Sequence, residues 1–370
     1  MIKKIILTIL LTIFTCNLFA QKIDISLQKE IEHSVVKGLK WLYAQQDLDG
    51  SWNHYPPITA LVLSAFIRSH PNIGIEDSII VRGFNFLSKF VKPDGGIYAD
   101  DMKAYSTAIC LMAYEDLNLL EHKTIINNAK SFLISLQLDE IGGYSVDSIY
   151  YGGVSYGEKD KDPDLSNLQW TIEALQRDVE LSDNPTNKGE KELKTKRKLF
   201  FHKALKFLER TQNYKTNDQK YAGNDGGFMY RPGDSKAGGT LSYGGMSYAG
   251  LKSFIFAGLS KNDERVVAAF KWITNNYTVT ENPGIGEQGL YYYYQTMAKA
   301  LNNYGQDIII DKNGNKNNWR NDLSNQLLKL QKNEGFWLND NGRWWENNPV
   351  LVTSYTILAL EEIAELKIIK

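Results

Sequence analysis

A helix pair joined by a glycine-aromatic loop recurs along this 370-residue chain and constrains its fold more than any other feature. Six loop glycines mark the copies: Gly50, Gly96, Gly143, Gly227, Gly289 and Gly335. The shorter separations between them are 46 and 47 residues, a period typical of paired-helix repeats. The two wider separations, which follow Gly143 and Gly227, predict insertions in the third and fourth units.

The two helices of each unit differ in character. The helix before each loop carries apolar residues at a spacing of 3.6, as at Leu39, Leu42 and Tyr43, and so belongs outside. The helix after each loop is apolar or small on most faces, as at residues 58–67 and 352–360, and so belongs inside. An open superhelix has a similar period, but it needs polar end caps that are not evident here. We therefore predict an all-α fold, an (α/α)6 toroid of six outer and inner helix pairs.

The N-terminus has the pattern of a secretory signal peptide. Lys3 and Lys4 precede an apolar run over residues 5–14, and a small residue stands at Ala20. The run is shorter than the roughly 20 residues that span a bilayer. We predict that residues 1–20 are removed and that residues 21–370 form a single exported domain, periplasmic or extracellular. Lipid attachment at Cys16 is the alternative, although the residues before it match that signal poorly.

Charge and cysteine content exclude several classes of protein. Loss of Lys3 and Lys4 with the leader leaves 40 basic residues against 43 acidic ones, which predicts no nucleic-acid partner. The sequence predicts no integral membrane segment after signal removal. The single remaining cysteine, Cys110, cannot form an internal disulfide. The sequence leaves the oligomeric state open.

A motif in the first unit carries a family resemblance. The segment at residues 37–52 combines Trp41, Gln46, Gly50 and Trp52, and Gln331, Gly335 and Trp337 repeat the spacing in the last unit. We expect the glutamine to bond the backbone of a neighbouring unit and the tryptophan to pack beneath it. The pattern resembles the glutamine-tryptophan repeat of squalene and oxidosqualene cyclases. The resemblance implies the toroid of the squalene/terpene cyclase and protein prenyltransferase β-subunit superfamily.

The chemistry of that superfamily needs groups that are only partly present. Squalene-type cyclases protonate an alkene with an Asp-x-Asp-Asp motif, which this sequence lacks; the candidate acids are Asp100, Asp101 and Asp164. Each of them also suits a loop or the N-cap of a helix. Protein prenyltransferases hold zinc with Asp, Cys and His, whereas Cys110 stands without a partner motif. We therefore predict no metal and no cofactor.

Aromatic and polar residues gather in the loops that precede the inner helices and in the first turns of those helices. In a closed ring these positions share one end, so we expect them to converge on one mouth. The predicted substrate-binding residues are His54, Tyr105, Tyr151, Asn167, Trp170, Arg231, Tyr243, Tyr248, Tyr294, Trp344 and Trp345.

Three functions fit such a mouth. The first is binding or cyclisation of a hydrophobic, isoprenoid-type small molecule, because aromatic faces stabilise carbocations. The second is a secreted polysaccharide lyase or hydrolase, in which tyrosines stack on sugars and Arg231 neutralises a uronate; it predicts that Arg231, Tyr243, His54 and Asp164 lie together. The third is a non-catalytic module that binds a glycan or a peptide.

Overall fold

The computed structural model describes residues 23–69, 76–157, 161–177 and 188–364. The predicted signal peptide, residues 1–20, lies outside the described residues. Twelve α-helices occur in the described ranges and alternate between an outer and an inner layer. The outer helices are α1 (Ile25–Ala44), α3 (Ser78–Ser88), α5 (Lys123–Ser135), α7 (Lys188–Thr211), α9 (Glu264–Asn275) and α11 (Trp319–Leu330). The inner helices are α2 (Pro56–Ser69), α4 (Lys103–Leu117), α6 (Leu165–Gln176), α8 (Gly244–Phe256), α10 (Leu290–Tyr304) and α12 (Pro349–Ala364).

The inner helices form a closed ring. Each one packs against the next along the chain, and α12 packs back against α2. Inner helices are buried on nearly all sides, as in α2, where only Ile67 and Arg68 are not fully buried. Outer helices bury one face, as in α1 with Leu27, Ile31 and Val35. The predicted all-α toroid is therefore confirmed, and its closure rules out the open superhelix.

The glutamines of the repeat motif bridge neighbouring units. The Nε2 of Gln46 donates to the carbonyl of Gly50 in its own loop at 3.0 Å and to that of Ile79 at the start of α3 at 2.9 Å. The Nε2 of Gln331 bonds Gly335 at 2.8 Å and Ser34 in α1 at 2.9 Å, and thereby joins the last unit to the first. Gln137 and Gln212 make equivalent pairs of bonds. The predicted role of these glutamines is confirmed.

The tryptophans of the motif tie each loop to its own outer helix. The indole Nε1 of Trp52 donates to the carbonyl of Leu42 at 2.8 Å, and that of Trp337 donates to Leu327 at the same distance. Both rings are fully buried. Because a buried indole N–H needs an acceptor, this bond fixes the ring as well as the loop.

The register of the third unit differs from the prediction. The loop glycine there is Gly152, not Gly143, because a Cβ at Gly152 would lie 2.0 Å from the carbonyl oxygen of Lys203 on the next outer helix. Gly50 makes the same close approach to Arg82, and both residues have a φ near +90°. A Cβ at Gly143 would meet nothing within 4 Å. Part of the insertion therefore lies before this glycine, and the 75 residues from Gly152 to Gly227 still exceed the period of 46.

A small antiparallel hairpin connects α10 to α11 and was not predicted from the sequence. It consists of β1 (Ile308–Ile310) and β2 (Lys316–Asn318). The carboxylate of Asp311 accepts bonds from the backbone N–H groups of Asn313 and Asn315, which closes the turn.

Charged residues fill the axis at the C-terminal end of the inner helices. Each inner helix contributes to this ion cluster: Arg68, Glu115 with Asp116, Glu173, Lys252, Lys299, and Glu361 with Glu362. At its centre the Glu173 carboxylate pairs with Lys252 at 2.5 Å and also with Lys299. The cluster borders a polar cavity of about 510 Å³. Nothing among the described helices is both long and apolar enough to cross a bilayer.

Candidate functional site

An aromatic cavity of about 250 Å³ lies at the other end of the ring, where the inner helices begin. Its lining has seven tyrosines, three tryptophans, four aliphatic or methionine side chains and only four other residues. The lining residues are Tyr55, Ile58, Met102, Tyr105, Tyr156, Ser166, Trp170, Tyr230, Tyr243, Met246, Asn282, Gly289, Tyr292, Trp344, Trp345, Glu346, Leu351 and Tyr355. The surface offered to a ligand is therefore mainly aromatic carbon.

Four of these rings form a closed circuit, which we call the aromatic box: Tyr105, Trp170, Tyr292 and Tyr355. They come from α4, α6, α10 and α12. Ring centroids lie 6.3 Å apart at each of the three ring contacts, and neighbouring planes are inclined by 63° to 82°. The hydroxyls of Tyr105 and Tyr355 lie 3.4 Å apart and complete the circuit. The rings at these three contacts thus stand at steep angles to one another.

Trp170 is the ring of the aromatic box that contacts the ion cluster. The Nζ of Lys252 lies 5.4 Å from the centre of its ring while it pairs with Glu173. Burial lowers the pKa of Lys252 to about 8, although the Glu173 carboxylate opposes that shift. Lys252 is therefore a buried cation whose charge is balanced by the carboxylate beside it.

Glu346 is the one charged side chain among the described residues that line the cavity. Its carboxylate accepts bonds from the backbone N–H of Tyr291 at 3.2 Å, the backbone N–H of Tyr292 at 2.8 Å and the Nδ2 of Asn339 at 2.7 Å. It is 1 % exposed, and burial raises its pKa while these donors lower it. Glu346 thus provides an acceptor for the backbone N–H groups in the first turn of α10, and it holds Tyr292 in the aromatic box.

Backbone strain is concentrated at the mouth. Trp344 and Trp345 have φ values of 55° and 64°, and Met102 has a φ of 55°. Left-handed backbone costs a residue with a side chain about 1–2 kcal/mol and persists where the surroundings impose it. Trp344 also packs so closely on Gly289 that a Cβ there would lie 2.9 Å from its ring. Trp344 and Trp345 remain 44 % and 54 % exposed, which places them at the entrance.

Several solved proteins are similar to this chain in three-dimensional structure. No family model and no curated protein matches the sequence. The type II terpene cyclase MstE from Scytonema, in complex with its substrate geranylgeranyl dihydroxybenzoate, is 10% identical over 92% of this chain and 99% of that one, with a TM-score of 0.56. A family 76 glycoside hydrolase from a bovine Bacteroides thetaiotaomicron strain is 12% identical over 90% of this chain and 78% of that one, with a TM-score of 0.57. A D-mannose isomerase is 13% identical over 94% of this chain and 99% of that one, with a TM-score of 0.55.

The chain has the α/α toroid fold of these proteins. Its neighbours include a terpene cyclase as well as sugar-active enzymes, so the toroid is shared by different chemistries and function must be argued from the site.

The structure brings five of the predicted substrate-binding residues to the cavity of this toroid: Tyr105, Trp170, Tyr243, Trp344 and Trp345. Tyr105 and Trp170 belong to the aromatic box, and Trp344 and Trp345 lie at the mouth. Tyr243 begins α8 as its N-cap residue and is 3 % exposed.

Asp164 lies directly behind the lining. It is fully buried at the N-cap of α6 and accepts bonds at 2.8 Å from both the backbone N–H and the Nδ2 of Asn167. Burial raises the pKa of Asp164 to about 6, while Asn167, Arg231 and the Tyr230 hydroxyl oppose that shift. Tyr230 lines the cavity and interacts with Asp164, which does not itself line it. Asn167 itself serves as the capping partner of Asp164.

Other predicted site residues have partners away from the cavity. Tyr151 donates to Glu140 at 2.7 Å, Tyr294 donates to the carbonyl of Val279 at 2.8 Å, and Tyr248 packs its ring on Tyr293.

Arg231, the predicted uronate partner, lies 3.4 Å from Asp162, and its guanidinium lies 5.2 Å from the centre of the Tyr230 ring. Burial and the charge on Asp164 raise the pKa of Tyr243, and the positive charge of Arg231 lowers that of Asp164 against burial, whereas His54 bonds Asp49 elsewhere, so the four residues of the polysaccharide hypothesis do not form one group. The candidate acids Asp100 and Asp101 are exposed and do not line the cavity.

Asp47, Asp49 and His54 form the one group in the described part of the chain with ligand atoms close enough for a metal ion, within 4.8 Å of one another. His54 is largely exposed and bonds Asp49 at 2.9 Å. These contacts raise the pKa of His54, chiefly through the bond to Asp49. Asp49 also accepts a bond from the Ser51 hydroxyl at 2.5 Å, so the group is already bonded within itself.

Sequence reasoning missed the other half of the aromatic box. Tyr292 lies in the four-tyrosine run at the start of α10, and Tyr355 lies in the second turn of α12. Only one or two residues of such a run can face the axis, because successive residues of a helix point about 100° apart. Glu346 was not predicted as a site residue, because its bonds to α10 cross between units.

Proposed function

We propose that the toroid binds a largely apolar small molecule of isoprenoid type in its aromatic cavity. The observation that carries the proposal is the lining, in which fourteen of eighteen residues are aromatic, aliphatic or methionine. Such a cavity favours a ligand through the removal of apolar surface from water, about 25 cal/mol for each Å². The similarity in fold to a terpene cyclase is consistent with this ligand class.

The polar groups of the lining weigh against a glycan. Sugar recognition needs donors and acceptors that are free to bond hydroxyl groups. The Asn282 side chain accepts from the backbone N–H of Gly245 at 2.9 Å and donates to the carbonyl of Gln288 at 3.0 Å. Glu346 has three donors already. Asn282 and Glu346 are therefore used mainly to hold the walls of the cavity.

The acid groups favour binding over cyclisation. Protonation of an alkene needs a strongly acidic donor in contact with the substrate. Asp164, the candidate acid next to the cavity, has a pKa of about 6 and does not line the cavity, so it is a weak acid without direct access. The proposed activity is accordingly ligand binding, with Asp164 as the group to substitute if turnover is found. We also propose that the protein acts after export, with residues 1–20 removed.

Native mass spectrometry of the purified chain tests this function. The chain would be measured as purified, and then after incubation with farnesol, with geranylgeraniol and with a panel of neutral and uronic oligosaccharides. We expect a retained apolar compound or saturable binding of the isoprenoid alcohols. The cavity-filling variants Ile58→Phe and Met246→Phe should reduce that binding, with thermal unfolding as the check of folding. Binding of oligosaccharides in place of the alcohols would overturn the proposal.

A further inference from the structure

We infer that the aromatic box recognises a positively charged group, an alkylated ammonium carried by the small molecule that occupies the cavity. This inference rests on the proposed function, because it names the chemistry of one end of the proposed ligand. It depends on three features: the arrangement of four rings, one carboxylate in the lining and the absence of a competing cation among the described lining residues.

The arrangement of the rings is the first feature. Tyr105, Trp170, Tyr292 and Tyr355 make a circuit with three edge-type contacts at 63° to 82°. All four rings line the same cavity, and rings inclined at these angles enclose it from different sides. Ring faces carry negative partial charge, and several faces around one site attract an alkylated ammonium group that has little hydration to lose. A neutral ligand gains the same contact area without this attraction.

The single carboxylate is the second feature. Glu346 lines the same cavity, and its bond to the backbone N–H of Tyr292 at 2.8 Å places it beside one wall of the box. Its three donors favour the ionised form against burial, which raises the pKa of Glu346, and they fix the carboxylate in position. A fixed carboxylate of this kind complements a cation but leaves a neutral ligand unaffected.

The balance of charge around the box is the third feature. None of the described lining residues is a lysine, arginine or histidine. The buried cation Lys252 contacts Trp170 and pairs at 2.5 Å with Glu173, a carboxylate that it shares with Lys299. The contact also shows that the Trp170 ring accepts a cation in this protein. The lining residues thus offer a positive ligand rings and a carboxylate. Cations outside the lining contact other rings of the cavity, namely Arg343 on Trp344 and both Arg231 and Lys236 on Tyr230.

Binding of choline, compared with that of 3,3-dimethyl-1-butanol, tests the inference. The two probes have the same shape, but a quaternary nitrogen in choline is replaced by carbon in the alcohol. Both would be titrated into the full mature chain with calorimetry or tryptophan fluorescence as the readout. We expect choline to bind at least about tenfold more tightly, the size of a desolvated cation-π preference.

Variants separate charge recognition from simple packing. Tyr292→Leu removes a ring of the box, and Tyr304→Leu is its matched control on the same helix, because Tyr304 stacks on Phe270 and does not line the cavity. We expect Tyr292→Leu to weaken choline binding about tenfold and to change binding of the alcohol much less. Tyr304→Leu should leave both affinities unchanged. Glu346→Gln, which keeps the shape of the side chain, should weaken only choline, with thermal unfolding as the check of folding.

The outcomes also distinguish this inference from the proposed function. Equal or tighter binding of the neutral alcohol overturns recognition of charge and leaves apolar binding standing. Binding of farnesol without binding of choline would likewise overturn recognition of charge and leave apolar binding standing. If farnesol, the alcohol and choline all fail to bind to the folded protein, both proposals are wrong.

Discussion

Gln331 and Ser34 lie 297 residues apart in the chain, yet the side-chain amide of Gln331 donates to the Ser34 carbonyl at 2.9 Å. The Ser34 hydroxyl in turn donates to the Oε1 of Gln331 at the same distance. These bonds join the last outer helix to the first where the ring closes. The repeat motif therefore makes the closing contact of the toroid as well as the contacts within it.

Loss of the Gln331 side chain should destabilise the ring. Gln331→Ala leaves the carbonyls of Ser34 and Gly335 without their donor, which costs about 1–3 kcal/mol for each buried group left unpaired. The free energy of unfolding would be measured in urea. Gln28→Ala on the exposed face of α1 is the control and should change stability little. Equal effects of the two substitutions would contradict a role in closure.

Glu173 should be the most sensitive member of the ion cluster. Glu173→Gln leaves Lys252 and Lys299 without the carboxylate that balances them, and breaking a buried pair typically costs about 3–5 kcal/mol. Thermal and urea unfolding would measure the loss. Glu192→Gln, which breaks an exposed pair with Lys196, is the matched control and should have little or no effect. A similar response of both variants would show that the cluster does not stabilise the inner ring.

Asp164 should make stability depend on pH. Burial raises the pKa of Asp164 to about 6 from an unfolded value of 3.8, so the folded state binds more protons between these values. The contribution of Asp164 is therefore most favourable below pH 4 and is lost as pH rises towards 6. Urea unfolding of the wild type and of Asp164→Asn at pH 4, 5, 6 and 7 isolates this effect. The stability of the wild type should fall relative to that of the variant over the range, and parallel curves would contradict the shift.

The predicted export signal implies a defined N-terminus. If residues 1–20 are removed, the mature chain begins at Gln21, which intact mass and N-terminal sequencing of the fractionated protein would show. Replacement of Lys3 and Lys4 by Glu should reduce export, because the positive n-region orients the signal. A mature chain that keeps residues 1–20 would contradict the prediction, and a lipid on Cys16 would support the alternative.

The fold could be predicted from sequence because its determinants are local. Gln46, Gly50 and Trp52 recur at the same spacing as Gln331, Gly335 and Trp337. Helix periodicity separates outer from inner helices over each unit. The prediction for the third unit was wrong because it took Gly143 as the loop glycine in place of Gly152. Only the close approach of Gly152 to Lys203 in the folded chain distinguishes the two.

The site was less predictable because it is assembled across units. Tyr105 and Trp170 were identified from their place early in inner helices, but Tyr292 was confused with Tyr294, two positions along the same helix. The face that a residue presents to the axis depends on how each helix is rotated in the ring. The role of Glu346 depends on its hydrogen bonds to the start of α10, which lies more than 50 residues away in the chain. Contacts of this kind leave no periodic trace in the sequence.

Calorimetric titration of the mature chain with farnesol tests the central claim most directly. Measurements at several temperatures should give saturable binding with a negative heat-capacity change, the signature of apolar surface buried on binding. Met246→Phe, which fills the cavity, should abolish or strongly weaken that binding, while Tyr304→Leu should not. An absence of binding to the folded wild type, or binding that is unaffected when the cavity is filled, would contradict the account.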